Sequence, residues 1–270
     1  GGQSMVAIKS DAHVYSRNFG YYTFSASLGQ TLGPAVAGFT LGISLLSMHG
    51  TQFTLLVGGF VALLGLIPAL SLISISSNHA AHSPEASLKI LDALRNPSIR
   101  RAIIISTLVS SSIDLLVIYL PALGVDRKYT PAAIGTVLSL RAITSMFARL
   151  ALGRLSDRFT SQSIVTGSLL LSGLSSMAIF FTHSVLTLGI VIFILGLASG
   201  VAQPLTMALV SDEVSSGEKT QMIAIRLLGN RSGQFFFPLL AGAVVSAASV
   251  EVMFLVIGAL LLSPLVRRAV

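Results

Sequence analysis

The chain has 270 residues, 53% of them hydrophobic and only 10% charged, with a formal net charge of +7. Ordinary soluble domains carry roughly a quarter charged residues, so this composition excludes a soluble enzyme as the default and points to a polytopic membrane protein. There is no cysteine, which excludes disulfide frameworks, zinc ribbons and thiol catalysis.

Hydropathy, with Gly, Pro and charged residues as punctuation, predicts eight spans near 17–47, 52–77, 101–123, 131–152, 162–182, 185–209, 221–247 and 249–266. Runs such as Phe53–Ser76 and Leu169–Thr182 hold no charge at all. Such runs are too long and continuous for barrel strands, and backbone in lipid must satisfy its own hydrogen bonds, so all eight are expected to be helices and the fold all-α. The segment from Asn78 to Arg101 reads as a linker with its own short amphipathic helix. Ser83 is its N-cap, Pro84 its first helical residue, and Leu88, Leu91 and Leu94 share one face up to Asn96-Pro97.

Lysine and arginine placement sets the expected orientation. Lys9, Arg17, Lys89, Arg95, Arg100, Arg101, Arg149, Arg154, Arg158, Lys219, Arg267 and Arg268 fall on one side and Arg127 and Lys128 on the other. The first side, with the C-terminus, is expected to be cytoplasmic, in a cell (plasma or inner) membrane. Basic residues at span ends are topology signals, so no nucleic-acid partner is expected despite the net charge.

The segment Gly29-Gln30-Thr31-Leu32-Gly33-Pro34-Ala35-Val36-Ala37-Gly38 aligns with Gly233-Gln234-Phe235-Phe236-Phe237-Pro238-Leu239-Leu240-Ala241-Gly242, identical at five of ten positions and 204 residues apart. If the first span corresponds to the seventh, the repeating unit is six spans. The chain then divides into residues 1–77, the end of one helix and two further helices of a first half; 78–100, the linker; and 101–270, a complete second half. On this reading four spans are expected to precede the first, and residues 1–10 are the end of the last of those four.

Small residues recur as Gly20-x8-Gly29-x3-Gly33-Pro34-x2-Ala37-Gly38, a pattern that lets helices approach closely around a proline bend. The pattern resembles the fifth-helix motif of the major facilitator superfamily, Gly-x8-Gly-x3-Gly-Pro-x2-Gly-Gly, typical of its drug:proton antiporters; Ala37 is the one departure. Gly153-Arg154-Leu155-Ser156-Asp157-Arg158 resembles the superfamily's loop signature between the second and third helices of a half. Thr160, Ser161 and Gln162 depart from it, standing where the family has glycine and two basic residues. The resemblance implies helices five to twelve of a twelve-helix fold, working by alternating access on a small molecule, with no cofactor or metal and as a monomer. It makes Gly153, Asp157 and Arg158 candidates for a latch, with Asp157 expected to complement the following helix N-terminus or a nearby arginine.

Asp114 is the acidic residue well inside a span, and a buried carboxylate is costly unless neutral or paired. It is the candidate proton site, and Arg141, at a similar depth of about 12–15 Å at 1.5 Å per residue, is its candidate partner. Arg231 and Asn230 are candidates for the cavity or a gate, whereas Arg226 is expected to snorkel to the edge. Gln203, beside a helix-breaking Pro204, is a candidate substrate contact. His13, His49, His79, His82 and His183 show no ligand spacing, and there is no phosphate loop or nucleophile–base pair. The expected function is proton-coupled export of a small organic compound. Uptake or exchange of an organic anion is the runner-up, motivated by Arg141 and Arg231, and a non-transporting membrane sensor or scaffold is the alternative of another class.

Overall fold

The computed structural model describes residues 12–43, 49–72, 95–212 and 219–266. Among these it contains eight helices and no strand: α1 (Ala12–Leu41), α2 (Gly50–Leu72), α3 (Pro97–Asp126), α4 (Pro131–Ser156), α5 (Ser161–Phe180), α6 (Val185–Asp212), α7 (Lys219–Ala247) and α8 (Val250–Val266). These are the eight expected spans, with ends shifted by a few residues. The expected helix over residues 1–10 and the amphipathic helix built on Ser83 and Leu88 lie outside the described residues.

The boundaries follow from local chemistry. Asn96 caps α3 by accepting from the Ser98 N–H at 2.9 Å, and Pro97 fills the first helical position, where no N–H is needed. Thr130 with Pro131 repeats the device at α4, and Thr160 caps α5 by accepting from the Ser163 N–H at 3.2 Å. Prolines lie inside α1, α3, α6, α7 and α8 without ending them, because apolar surroundings leave no better partner for the backbone.

Helices α3 to α8 alternate in direction. The start of α3, the α4–α5 connection, the end of α6, the start of α7 and the end of α8 therefore share one end, the basic end. In this bundle α4 packs on α6, α5 on α6 and α8, and α3 on α7 and α6; α1 lies along α4, and α2 against α1. The core runs through Leu115, Leu116, Leu120 and Leu123 of α3, Ile179 of α5, Leu188 and Ile192 of α6, and Phe254 and Ile257 of α8, all essentially inaccessible. Close approach of α4 and α6 depends on Gly196, where an added Cβ would lie 2.7 Å from the Arg141 carbonyl oxygen.

Among the described residues five segments, Gly50–Ile67, α3, α4, α5 and Val185–Thr206, are long and apolar enough to cross a membrane; Val250–Leu265 is apolar but shorter. Their outward faces carry large apolar side chains, such as Leu55 at 75%, Leu150 at 73% and Leu186 at 75% exposure. Water would penalise such a surface and hydrocarbon does not, so the fold is that of a multi-pass membrane protein.

Candidate functional site

The polar interior is organised around two helix contacts. The first joins α3 to α7. Ser106, Ser110 and Asp114 recur every four residues on α3 and so lie on one stripe of the helix, while Asn230 and Gln234 do the same on α7. Ser106 donates to Asn230 Oδ1 at 2.9 Å, and Gln234 Nε2 donates to Ser110 Oγ at 3.2 Å. Beside this stripe Gly229 and Gly233 let the helices close: a Cβ on Gly233 would fall 2.5 Å from both Ser111 Oγ and Thr107 Cγ2.

Asp114 sits at the end of that stripe, half-buried, with Gln234 in hydrogen-bonding reach and Arg231 and Arg141 the cations near enough to act on it. Its Oδ2 is buried without a partner. The expected Asp114–Arg141 ion pair is not formed; the two are in electrostatic range but out of contact. Arg231 is exposed, and its Nη1 donates to Gln234 Oε1 at 2.7 Å within the same helix. Gln234 thus links Arg231 to α3, and it is the central residue that the sequence reading passed over. Its pairing with Gln30 in the internal repeat was the available signal.

The second contact joins α1 to α4. Pro34 and Gly38 of the glycine motif meet Pro131 and Gly135: a Cβ on Gly38 would lie 2.7 Å from the Pro131 carbonyl oxygen and 2.9 Å from Gly135 Cα. Gly29 and Gly33 face open space, so among the described residues of the motif the close approach is at its far end; Gly20 lies within α1. Deeper in, Ser139 donates to the Thr31 carbonyl at 2.7 Å, and Arg149 Nη1 donates to Ser27 Oγ at 3.2 Å. Arg149, counted in sequence with the loop charges, is therefore a half-buried group inside α4. Arg141, 7% exposed, is buried with its Nε unpartnered and lies in electrostatic range of Arg149 and Asp114.

Two other expectations change. Arg226 does not snorkel: it is 6% exposed, and its Nη2 donates to the Gln203 carbonyl at 3.1 Å and lies 3.4 Å from Thr206 Oγ1. Gln203 thus contributes through its backbone, next to Pro204, and its side chain is half-buried. In the loop motif, Asp157 is exposed and forms the C-cap of α4, while Thr160 caps α5. An added Cβ on Gly153 would meet open space, and Arg158 is exposed, so the motif shows no closed latch among the described residues.

A sequence profile described as the Major Facilitator Superfamily matches residues 102–266, more than half of the chain. Among curated relatives, the chain is 24% identical over 224 residues to the "Multi-drug resistance efflux pump PmrA homolog" of Lactococcus lactis subsp. lactis (strain IL1403), covering 80% of this chain and 54% of that protein. It is 24% identical over 263 residues to "Multidrug resistance protein MdtG" of Klebsiella pneumoniae (strain 342), covering 94% of this chain and 62% of that one. The chain therefore spans little more than half the length of these relatives. Among solved structures, a bacterial homolog of the human lysosomal transporter Spinster, inward-facing and occupied, aligns with a TM-score of 0.66 at 14% identity, over 99% of this chain and 71% of that one. That likeness speaks to the fold alone.

Proposed function

The chain belongs to the major facilitator superfamily, and from that premise we propose that it serves as a proton-coupled secondary transporter exporting a small organic compound by alternating access. The observation that carries the reading is Asp114: a carboxyl in a membrane-crossing helix, one oxygen buried without a partner, with Gln234 in reach and cations near but not touching. A carboxylate so placed exchanges protons at the expense of its neighbours' polar contacts, which is what coupling to a proton gradient requires. The efflux-named relatives support the outward direction. We place the basic end on the cytoplasmic face, in a plasma or inner membrane, as the bias of lysine and arginine favours.

The site fits this chemistry through its geometry. Protonated, Asp114 is a neutral donor to Gln234; ionised, it draws on Arg231 through Gln234 and on Arg141 from α4. The two states load differently the α3–α7 contact, which lies within the second half, and the α1–α4 contact, which joins that half to the first. Asp114→Asn should abolish proton-linked efflux in everted vesicles while leaving the protein's amount in the membrane unchanged. Full coupling in that variant would remove Asp114 from the mechanism.

A second reading, uptake or exchange of an organic anion, is favoured by one specific observation. Arg141 is buried with an unpartnered Nε and has Arg149 as a like-charged neighbour, an arrangement that an anionic group would relieve. Counterflow of labelled carboxylates in proteoliposomes separates it from the first.

A further inference from the structure

At the basic end, α3 and α8 part to leave an open crevice of about 260 Å³, lined by Pro97, Arg100, Arg101, Ile104, Ser263 and Pro264. Pro97 opens α3 and Pro264 lies in the last turn of α8, so each helix presents a ring rather than a packing side chain where the two would otherwise meet. Arg100 is exposed and Arg101 half-buried, and among the described residues no acidic side chain lines the crevice. One turn further along α3, Ile104 is 45% exposed. The lining therefore passes from guanidinium to hydrocarbon within about 5 Å of helix rise. Arg101 also walls a smaller crevice of about 110 Å³ between α3, α5 and α8, where Ser98 and Gln162 add uncharged donors and Leu169 and Leu265 apolar surface.

The occupant of such a place must be anionic at one end and apolar at the other. It must also lie with its charge at the end of a membrane-crossing helix, at headgroup depth. Charge-assisted bonds from paired guanidinium groups suit a phosphate, and basic pockets between spanning helices are where phospholipid headgroups are held. We propose that this crevice is a binding site for one anionic phospholipid, its phosphate held by Arg100 and Arg101 and an acyl chain running past Ile104. Bound there, the lipid ties the first helix of the six-helix half to its last across the crevice between them. The site owes nothing to the transport reading.

Native mass spectrometry of the purified chain in neutral detergent, titrated with phosphatidylglycerol, tests it. One phosphatidylglycerol should be retained per chain, and phosphatidylcholine of the same acyl composition at least ten-fold more weakly. The double variant R100Q/R101Q should weaken retention by about 30-fold, taking roughly one surface-charge attraction per arginine. R154Q/R158Q, an exposed pair at the same end, should leave it within two-fold. Ser263→Trp, which fills the crevice and keeps both charges, should lose binding like the double variant. Retention by Ser263→Trp would move the lipid elsewhere. An equal loss in R154Q/R158Q would reduce the attraction to diffuse charge, equal binding of phosphatidylcholine would remove the net charge from recognition, and full displacement by millimolar sodium phosphate would reassign the site to the free ion. Each of these outcomes overturns the proposal.

Discussion

Arg127 and Glu251 stand 124 residues apart in the chain, and their side chains meet at 3.2 Å, on the end of the bundle opposite Arg100. The Arg127 guanidinium does more than pair. It donates to Glu251 Oε1 from Nε and Nη2, to the Thr182 carbonyl and hydroxyl from Nη1, and to the Phe180 carbonyl from Nη2. One side chain thus answers the orphan carbonyls at the end of α5 and ties them to the end of α3 and the first turn of α8.

This clamp is asymmetric, and the asymmetry is testable. Arg127 is 10% exposed and Glu251 40%. Arg127→Ala strips partners from buried carbonyls as well as from the carboxylate and should cost roughly 2–4 kcal/mol. Glu251→Gln leaves the carbonyl bonds intact and loses a partly solvated pair, so it should cost no more than about 1 kcal/mol. Unfolding of both variants in the same detergent measures the difference, and equal costs would mean that the carbonyl bonds carry no stability.

Gly29 and Gly233 occupy the same position of the internal repeat, yet the structure treats them oppositely. An added methyl meets open space at Gly29 but falls 2.5 Å from Ser111 Oγ and Thr107 Cγ2 at Gly233. Gly233→Ala should therefore cost about 1–3 kcal/mol as α3 and α7 are pushed apart, whereas Gly29→Ala should stay within about 0.5 kcal/mol. Thermal unfolding of the two single variants decides it. Equal effects would show that repeat position, and not the helix neighbour, governs these glycines.

That contrast marks how far the residues alone could lead. The eight helices were legible because Pro97, Pro131 and the charges between spans punctuate long apolar runs, and the boundary chemistry is local. Rotation about a helix axis was not: charge counting put Arg149 with the loops and Arg226 at the edge, but the first faces Ser27 and the second reaches back to the Gln203 carbonyl. Hydropathy registers height in a membrane and is blind to facing. Gln234 was missed because a glutamine in an apolar helix has no spacing signature; its role comes from lying opposite Ser110 and one turn from Arg231.

The two functional readings predict opposite signs of pH dependence for substrate binding. If Asp114 exchanges a proton for an exported cationic or neutral compound, proton and substrate compete, and binding tightens as pH rises. If an anion sits at Arg141 and Arg149, it draws the Arg141 field away from the Asp114 carboxylate and favours its protonation, so by linkage binding tightens as pH falls. Equilibrium binding at several pH values distinguishes them, with Asp114→Asn as the reference. Any pH dependence assigned to this residue should vanish in that variant, and a slope that survives there belongs to another group.

Arg141 offers the sharpest separation of a functional charge from a structural one. It is 7% exposed, with no ion-pair contact to Asp114 and an unpartnered Nε. Part of its desolvation is therefore unanswered, Asp114 acting on it only from a distance, and replacing it by an apolar side chain of similar length should relieve that cost. Arg141→Met should leave stability unchanged or raise it by about 1–2 kcal/mol while abolishing transport. A structural ion pair predicts the reverse: removing one partner would strand the other charge and cost about 3–5 kcal/mol. Unfolding in detergent and flux in proteoliposomes, measured on the same preparation, separate the two. A destabilised variant that still transports would return Arg141 to the packing of α4 and leave Asp114 to act without it.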